Sequence, residues 1–295
     1  MRKRFRFKQK KNILIKILIL LVIGYLIFIA IYNIIYKKYI NKIENKEFLS
    51  EIIERINYNT TKIDKYKNPE YILKKTLNIK ELKNDLETIK EQNNNEIYIY
   101  STHETEEYKD NHLEHYNILP NVKTMSYILE DLLVQNNINV EVEKESVVKV
   151  LRNNKWSYNK SYDASRKLIE NKIRSNNYKL IIDLHRDSSS LDKTLIEYNN
   201  KKYARILFVV GEEHQNYQSN YKLALNISNK LNELIPNISR GIVKKSGEGV
   251  NGIYNQDLNT NMILIELGGQ YNQIEELSNT LEILSNVIIN YLKEV

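Results

Sequence analysis

The chain contains no cysteine, only three prolines and only eight glycines among its 295 residues. Without cysteine it can form no disulfide, no thiolate zinc site and no cysteine nucleophile, so any metal must be held by histidine and carboxylate side chains. No G-x-G-x-x-G or P-loop glycine pattern is present, which argues against nucleotide chemistry. The serines at 188–190 lack the G-x-S-x-G context of a nucleophilic serine, so serine hydrolysis is not expected.

One long apolar run stands near the N-terminus. It extends over 24 residues, Ile13 to Tyr36, and is interrupted only by Lys16 and Asn33. At about 1.5 Å per residue it is long enough to cross a hydrocarbon layer of ~30 Å. Because the run exceeds a signal-peptide core and has no A-x-A-like exit, residues 13–36 are predicted to form an uncleaved transmembrane anchor.

The charge is unevenly distributed. Residues 1–12 carry seven lysines and arginines and no acid, which predicts a cytoplasmic tail and an extracytoplasmic remainder in the cell membrane. The formal net charge is +7, but the first 16 residues contribute eight positive charges, so the rest of the chain carries −1. A nearly neutral remainder gives no electrostatic basis for binding nucleic acid, and the basic cluster is explained by topology and anionic lipid.

The residue composition and the hydrophobic pattern change at about residue 96. Residues 37–95 are charged and rich in asparagine, which predicts a partly helical stalk and linker with little core of its own. Residues 96–295 alternate short apolar runs with amphipathic segments, which predicts a single α/β domain with a mostly parallel sheet flanked by helices. The predicted strands are Ile97–Tyr100, Ile138–Glu143, Leu180–Leu184, Arg205–Val210 and Met262–Leu267, and the predicted helices lie around Val122–Gln135, Asp163–Ser175, Tyr217–Leu234 and Gln273–Leu292.

Polar side chains follow or interrupt three of these strands, at the sheet edge where ligands of such folds collect. They are His103 and Glu106 in "STHETEE", Asp183, His185, Arg186 and Asp187 in "DLHRD", and Glu266 in "ILIELGG". An H-x-x-E spacing alone often occurs by chance, and a histidine after a buried strand is as often structural as ligating. A carboxylate inside "MILIEL" is more informative, because its burial costs several kcal/mol unless it is paired, metal-bound or protonated.

Together these residues predict a zinc hydrolase site. His103, Glu106 and His185 are expected to hold Zn²⁺, since two imidazoles and a carboxylate form a common catalytic zinc set with an open position for water. Glu266 is expected to take a proton from that water and pass it to a leaving amine.

Other polar residues have secondary or competing roles. Asp183 should point to the same side of its strand as His185, two residues on, and accept a hydrogen bond that orients the imidazole. Arg186 is expected either to receive a substrate carboxylate or to form an ion pair with Asp183 or Asp187. Glu114 and His115 remain alternatives for the third metal ligand.

An ordered set of motifs resembles a known family. In chain order they are "YSTHETEEY", "SYDASR", "IIDLHRDS", "VVG", "LIPNISRGI", "YNQDL" and "LIELGGQYNQIEE". Behind one N-terminal anchor, this set resembles the stage II sporulation protein P family of membrane-anchored N-acetylmuramoyl-L-alanine amidases, over roughly Ile97 to Tyr291. The resemblance implies a zinc amidase or exopeptidase-like fold. It also implies cleavage of the bond between muramic acid and L-alanine in peptidoglycan, and septal wall remodelling during engulfment beside a lytic transglycosylase of the stage II sporulation protein D type.

The resemblance also assigns roles to residues. His103 and His185 match the family's metal histidines, Glu266 its catalytic glutamate, and Glu106 the glutamate of its T-E-S-Y pattern. The family commonly reads H-T-H where this chain has Ser101 before Thr102 and His103, so the first histidine is missing. That departure leaves two other readings open: a zinc peptidase acting on wall peptides, and a catalytically silent wall-binding scaffold.

Overall fold

The computed structural model describes residues 68–77 and 96–294, together with Tyr25, Ile29 and Ile31. These three residues are helical and exposed, and belong to a unit that ends at residue 59, separate from the unit that begins at residue 60. The rest of the predicted anchor and the basic tail lie outside the described residues. Among the residues that are described, no helix is long and apolar enough to cross a membrane.

The second unit alternates strands with helices as the sequence predicts. The helices are α1 Pro69–Leu77, α2 Asn111–Glu114, α3 Val122–Val134, α4 Val147–Asn153, α5 Ser161–Ser175, α6 Leu191–Thr194, α7 Tyr217–Leu234 and α8 Ile274–Leu292. The strands are β1 Ile97–Tyr100, β2 Val140–Val142, β3 Leu180–Asp187, β4 Leu195–Tyr198, β5 Lys201–Ala204, β6 Ile206–Gly211, β7 Ser239–Lys245 and β8 Met262–Gly269. Two 3₁₀ turns cover Tyr158–Lys160 and Gln256–Leu258.

Six strands form one sheet in the order β2-β1-β3-β8-β6-β7. The first four are parallel, β6 runs antiparallel to β8, and β7 runs parallel to β6. The remaining two strands, β4 and β5, form a separate antiparallel hairpin. The expectation of an α/β fold with a mostly parallel sheet flanked by helices is confirmed, and the carboxyl ends of β2, β1, β3 and β8 meet at one edge.

The two faces of the sheet are covered by different helices. Ile97 and Ile99 of β1 belong to the main core, with α3, α7 and α8. The intervening Tyr98 belongs to a smaller core closed by Ile169 and Ile173 of α5. Because successive strand residues point to opposite faces, every second position of β1, β3 and β8 is turned toward the α5 side.

Helix α1 lies within the segment predicted to be a stalk, but it packs into this domain. Ile72 is fully buried in the main core. The ammonium of Lys75 lies 2.8 Å from a carboxylate oxygen of Asp131 on α3, and the hydroxyls of Thr76 and Thr124 are 3.0 Å apart. The predicted domain boundary at residue 96 therefore leaves out a segment that shares the core of the domain.

Several predicted elements differ from the observed ones at their ends, and others have no counterpart in the sequence reading. Strand β3 runs past its predicted end into the polar residues His185, Arg186 and Asp187, β8 continues to Gly269, and β2 is shorter than Ile138–Glu143. The helices and strands without a prediction are α2, α4, α6, β4, β5 and β7. The last is the edge strand Ser239–Lys245, whose residues are mostly half-buried, so it lacks the continuous apolar run that marks a central strand.

Candidate active site

Strand alternation places the polar ends of β3 and β8 on the α5 side of the sheet. Asp183 and His185 share their face with Ile181, which lies in the smaller core. Glu266 of β8 pairs in register with His185 of β3, and His103 follows the end of β1. The structure therefore brings the predicted histidines and glutamates to one edge of the sheet.

His185 lies between two carboxylates. Its Nε2 atom is 3.0 Å from Asp183 Oδ1, without the alignment of a hydrogen bond, and its Nδ1 atom is 3.8 Å from Glu106 Oε2. Burial lowers the pKa of His185, but the neighbouring carboxylates, Asp183 above all, outweigh it and raise the pKa to about 9. Asp183 lies beside the imidazole of His185, on the same side of the strand as predicted, and a carboxylate in this position can hold an imidazole ring in one orientation.

Asp183 is itself held by Thr102. One carboxylate oxygen accepts the Thr102 backbone N–H at 2.9 Å, and the other accepts its hydroxyl at 2.7 Å. The carboxylate is almost fully buried. Since each oxygen of this carboxylate has a fixed donor, Asp183 cannot turn away from His185 without leaving a buried polar group unpaired.

His103 is held by aromatic contacts. Its ring stacks on Tyr158 with centroids 4.9 Å apart and meets the rings of His185 and Tyr162 edge-on at 5.2 and 5.6 Å. Burial and the neighbouring His185 lower the pKa of His103 to about 4, so the imidazole is neutral at physiological pH. Its Nδ1 atom is buried and has no hydrogen-bond partner among the described residues, which is the state of an imidazole available to a metal.

The two glutamates have different surroundings. Glu106 Oε2 accepts the backbone N–H of Arg186 at 2.9 Å, and burial raises the pKa of Glu106 above its ordinary value. For Glu266, burial raises the pKa to about 7 despite the attraction of His185. Glu266 Oε2 is buried without a hydrogen-bond partner in the described part of the chain. A carboxyl group that titrates near neutrality is suited to both accepting and donating a proton.

The donor atoms at this site are of the types that zinc binds in proteins. Two imidazoles and a carboxylate are ordinary zinc ligands, and the unpartnered His103 Nδ1 and Glu266 Oε2 are the buried polar atoms that a metal with its bound water would satisfy. Over residues 68–77 and 96–294, however, no three His, Cys, Asp or Glu side chains are already grouped closely enough to hold a metal. The donors are adjacent, but the ligand set is not assembled.

The competing ligands are on the surface. Glu114 and His115, at the end of α2, are exposed, as is the nearby His112. The rings of His112 and His115 contact Tyr116 edge-on at 5.6 and 5.5 Å. Glu106, by contrast, lies beside His185, which favours it as the third ligand.

Ser101 stands where the family commonly has a first histidine, and it is turned toward another element. It is buried, and its hydroxyl lies 3.5 Å from the hydroxyl of Ser126 on α3. Ser101 also lines a small cavity together with Ser165 and Ile169 of α5. Within the described residues, no hydrogen bond joins the replaced position to His103 or His185.

Sequence reasoning missed a polar network beneath the site. The Thr102 hydroxyl also lies 3.0 Å from the hydroxyl of Ser165 on α5, and Ser165 accepts the amide of Asn255 at 3.0 Å. Next to these residues, Arg166 and Asp257 form a bidentate pair with both bonds at 2.8 Å. The only signal for this network was the motifs "SYDASR" and "YNQDL", because single hydroxyl and amide residues in loops show no periodicity.

Two tyrosines from the same motifs close the α5 side of the site. The ring of Tyr162 stacks on His185 with centroids 6.2 Å apart. Tyr254 meets the Tyr162 ring edge-on at 5.3 Å. Tyr162 therefore covers one face of the His185 imidazole, and Tyr254 packs against Tyr162.

Arg186 and Asp187 lie where the pairing of β3 with β8 is irregular. The register shifts between His185 and Asp187, and such a bulge re-aims the side chains that follow it. The carboxylate of Asp187 pairs with the guanidinium of Arg240, while Arg186 donates to the Asp187 backbone carbonyl at 3.1 Å. The Nε atom of Arg186 is buried without a hydrogen-bond partner among the described residues. Arg186 is predicted either to receive a substrate carboxylate or to form an ion pair with Asp183 or Asp187. The ion pair is not observed.

Strand β8 ends in a glycine pair directly beyond the site. Gly268 has φ +58°, and a Cβ there would lie 2.7 Å from Asn272 Oδ1. A Cβ on Gly269 would lie 2.8 Å from the carbonyl oxygen of Ser189. Side chains at these positions would push apart the loops that surround Glu266.

The fold and the site together define an α/β protein whose histidine and carboxylate donors gather at the carboxyl edge of parallel strands. The stage II sporulation protein P family model matches residues 22–289, and this chain belongs to that family. It is 33% identical over 199 residues to stage II sporulation protein P of Bacillus subtilis (strain 168), covering 65% of this chain and 49% of that protein. The chain thus spans about half the length of the curated relative it matches.

Two solved structures resemble this chain distantly. One is the CwlD amidase from Clostridioides difficile in complex with the GerS lipoprotein, with a TM-score of 0.45 and 16% identity over 68% of this chain and 100% of that one. The other is N-acetylmuramoyl-L-alanine amidase from Clostridium difficile 630, with a TM-score of 0.41 and 16% identity over 68% of this chain and 98% of that one.

Proposed function

We propose that this chain is a zinc-dependent peptidoglycan hydrolase that cleaves the amide between N-acetylmuramic acid and L-alanine. One observation carries the proposal: Glu266, a buried carboxyl group with an unpartnered oxygen and a pKa of about 7, adjoins His185. Membership of the stage II sporulation protein P family supports a sporulation role for this chemistry.

His103, His185 and Glu106 would hold the zinc ion. When bound, zinc would polarise the amide carbonyl and lower the pKa of a bound water. Asp183 would keep the His185 ring in place, and His103 is already neutral at physiological pH because its pKa is about 4. To hold the ion, His185 would have to give up the proton that the surrounding carboxylates favour on its ring.

Glu266 would carry the proton. It accepts a proton from the attacking water, whose oxygen forms a bond to the amide carbon. It then donates this proton to the alanine nitrogen as the carbon–nitrogen bond breaks. A pKa of about 7 leaves both protonation states accessible at neutral pH, as a group that alternates between base and acid requires.

The location and partners of the chain are further parts of the proposal. The apolar run 13–36 and the basic tail support a single-pass membrane protein with an extracytoplasmic catalytic domain. There it would act on septal peptidoglycan during engulfment, with a lytic transglycosylase of the stage II sporulation protein D type as partner. Protease added to protoplasts of sporulating cells should digest the domain, and protection of the domain would contradict this topology.

The activity can be tested on intact sacculi. The full chain in mild detergent with zinc should release free stem peptides that begin with L-alanine, as judged by mass spectrometry. Cuts within the stem peptide would instead identify a zinc peptidase. Bound zinc without any release would identify the scaffold that the replacement at Ser101 suggests.

A further inference from the structure

An open groove extends from the site across strands that the proposed mechanism does not use. It has a volume of about 400 Å³, and Glu106 and Glu266 line it at the site. Leu207 and Val209 of β6, with Val243 of β7, form an apolar floor. Ile206 and Phe208, the neighbours of Leu207 along β6, belong to the main core, so the groove lies on the opposite face of the sheet.

Three basic side chains line this groove, and they differ in their partners. The charge of Arg240 is neutralised by the carboxylate of Asp187. Within the described residues, no carboxylate forms an ion pair with Arg186 or Lys245, and the Arg186 Nε atom is a buried donor without an acceptor. The adjacent Lys244 instead pairs with Glu212 at 2.9 Å. The groove therefore contains two cations, Arg186 and Lys245, that form no ion pair within the described residues, and the charge of the Glu106 carboxylate acts on Arg186 without a direct pair.

The spacing of these charges suits a short extended chain. Glu266 pairs with Leu207, four residues along β6 from Gly211, which in turn pairs with Lys245 on the next strand. At about 3.3 Å per residue and about 4.8 Å between strands, the backbones of Glu266 and Lys245 are roughly 16 Å apart. Arg186 directly follows His185, at the near end. Arg186 thus lies beside the position of the scissile amide. Lys245 lies about four to five extended residues away from it.

We propose that this groove is the subsite for the stem peptide, and that Arg186 and Lys245 receive its free carboxylates. This inference rests on the proposed function. In that reaction the peptide departs with the new amine, and its γ-linked acidic residue retains a free carboxylate, whereas muramic acid has its carboxyl group tied up in the scissile amide. Charge complementarity therefore places the peptide, not the glycan, over β6 and β7. Arg186 and Lys245 act as specificity-determining residues for an anionic peptide.

The test measures binding of the product, without hydrolysis. The probe is the pentapeptide L-alanyl-γ-D-glutamyl-L-lysyl-D-alanyl-D-alanine, which is long enough to reach Lys245, with the same peptide carrying both free carboxyls as carboxamides for comparison, titrated calorimetrically into the full chain in detergent. Lys245→Gln should weaken pentapeptide binding on the order of tenfold, and Lys245→Arg should largely restore it. The matched control is Lys244→Gln, which should bind as the wild type does.

The carboxamide peptide makes the test specific. It should bind the wild type more weakly than the free acid does, and Lys245→Gln should cause no further loss with it. Equal affinity for acid and amide, or equal weakening by Lys244→Gln, would overturn the proposal.

The two proposals can fail separately. If sacculi are cut at the muramyl amide but Lys245→Gln leaves pentapeptide binding unchanged, the groove assignment is wrong and the amidase stands. If pentapeptide binding depends on Lys245 but no muramyl amide is cut, the subsite for an anionic peptide stands and the amidase is wrong.

Discussion

Glu266 and His185 occupy paired positions on the neighbouring parallel strands β8 and β3, at the edge where both strands reach the site. The backbone ladder fixes the separation of the carboxyl and imidazole groups, so no loop closure is needed to bring them together. Burial raises the pKa of Glu266 to about 7, and its Oε2 atom has no hydrogen-bond partner among the described residues. A carboxyl group suited to carrying a proton thus lies beside a potential metal ligand.

Replacing Glu266 with glutamine tests the separation of these two roles. The amide side chain has nearly the same size but cannot carry the proton, so hydrolysis should fall about 10²- to 10⁴-fold. Zinc content should remain that of the wild type, because Glu266 is not among the proposed ligands. His185→Ala, in contrast, should lose both zinc and activity. Near-normal turnover of stem peptide by Glu266→Gln would rule out the acid/base assignment.

The third metal ligand can be identified with a pair of glutamate variants. Glu106→Gln keeps an oxygen to accept the Arg186 N–H but removes the charged donor beside His185, so zinc affinity should fall strongly, on the order of tenfold or more. Glu114→Gln, on the exposed α2, should bind zinc as the wild type does. Competition with a chromophoric chelator measures both affinities. Zinc loss in the Glu114 variant, with retention in the Glu106 variant, would reverse the assignment.

Asp183 is expected to act through His185 as a positioning residue. Asp183→Asn removes the charge beside Nε2 and replaces one of the acceptors that Thr102 uses, so zinc affinity should drop about 10- to 100-fold. Thr102→Val removes only a hydroxyl and should have a smaller effect on zinc. Equilibrium dialysis against zinc buffers provides the comparison. Wild-type zinc affinity in Asp183→Asn would show that the contact has no positioning role.

Glu130 on α3 offers a prediction about stability and pH. Burial raises its pKa to about 7, above its value in the unfolded chain, so the folded state binds more protons between these two values. The contribution of Glu130 to stability must therefore fall as pH rises from about 4.5 to about 7. Glu130→Gln should stabilise the chain at pH 8 by about 1–2 kcal/mol, allowing for partial exposure, and have little effect near pH 4.

Chemical denaturation at both pH values measures this difference. Glu233→Gln, at an exposed position of α7, controls for the change in net charge. A Glu130 variant no more stable than the wild type at pH 8 would show that the carboxyl group is adequately solvated in the folded state.

The sequence was most informative about the central strands. β1, β3 and β8 each begin with a continuous apolar run, as is typical of buried parallel strands, and a polar residue that ends or interrupts such a run is easily recognised. Parallel pairing then requires those ends to meet. This is why His103, His185 and Glu266 could be grouped before any coordinates were known.

Features that depend on tertiary contacts could not be read in the same way. Thr102 and Ser165 are ordinary polar residues until Asp183 and Asn255 come within hydrogen-bond distance. Ile72 belongs to a short helix whose charged neighbours resemble a stalk, and only its packing on α3 makes it a core residue. Edge strand β7, with Lys245 at its end, is half-exposed and carries no apolar run.

The most direct test of the account is hydrolysis of sacculi in water enriched in ¹⁸O by the zinc-loaded full chain. An amidase transfers one solvent oxygen to the carbonyl carbon of the broken amide, so the label should appear in the new carboxylate of muramic acid, and released peptides should begin with unlabelled L-alanine. Label in a peptide carboxylate, with the muramyl amide intact, would contradict the account.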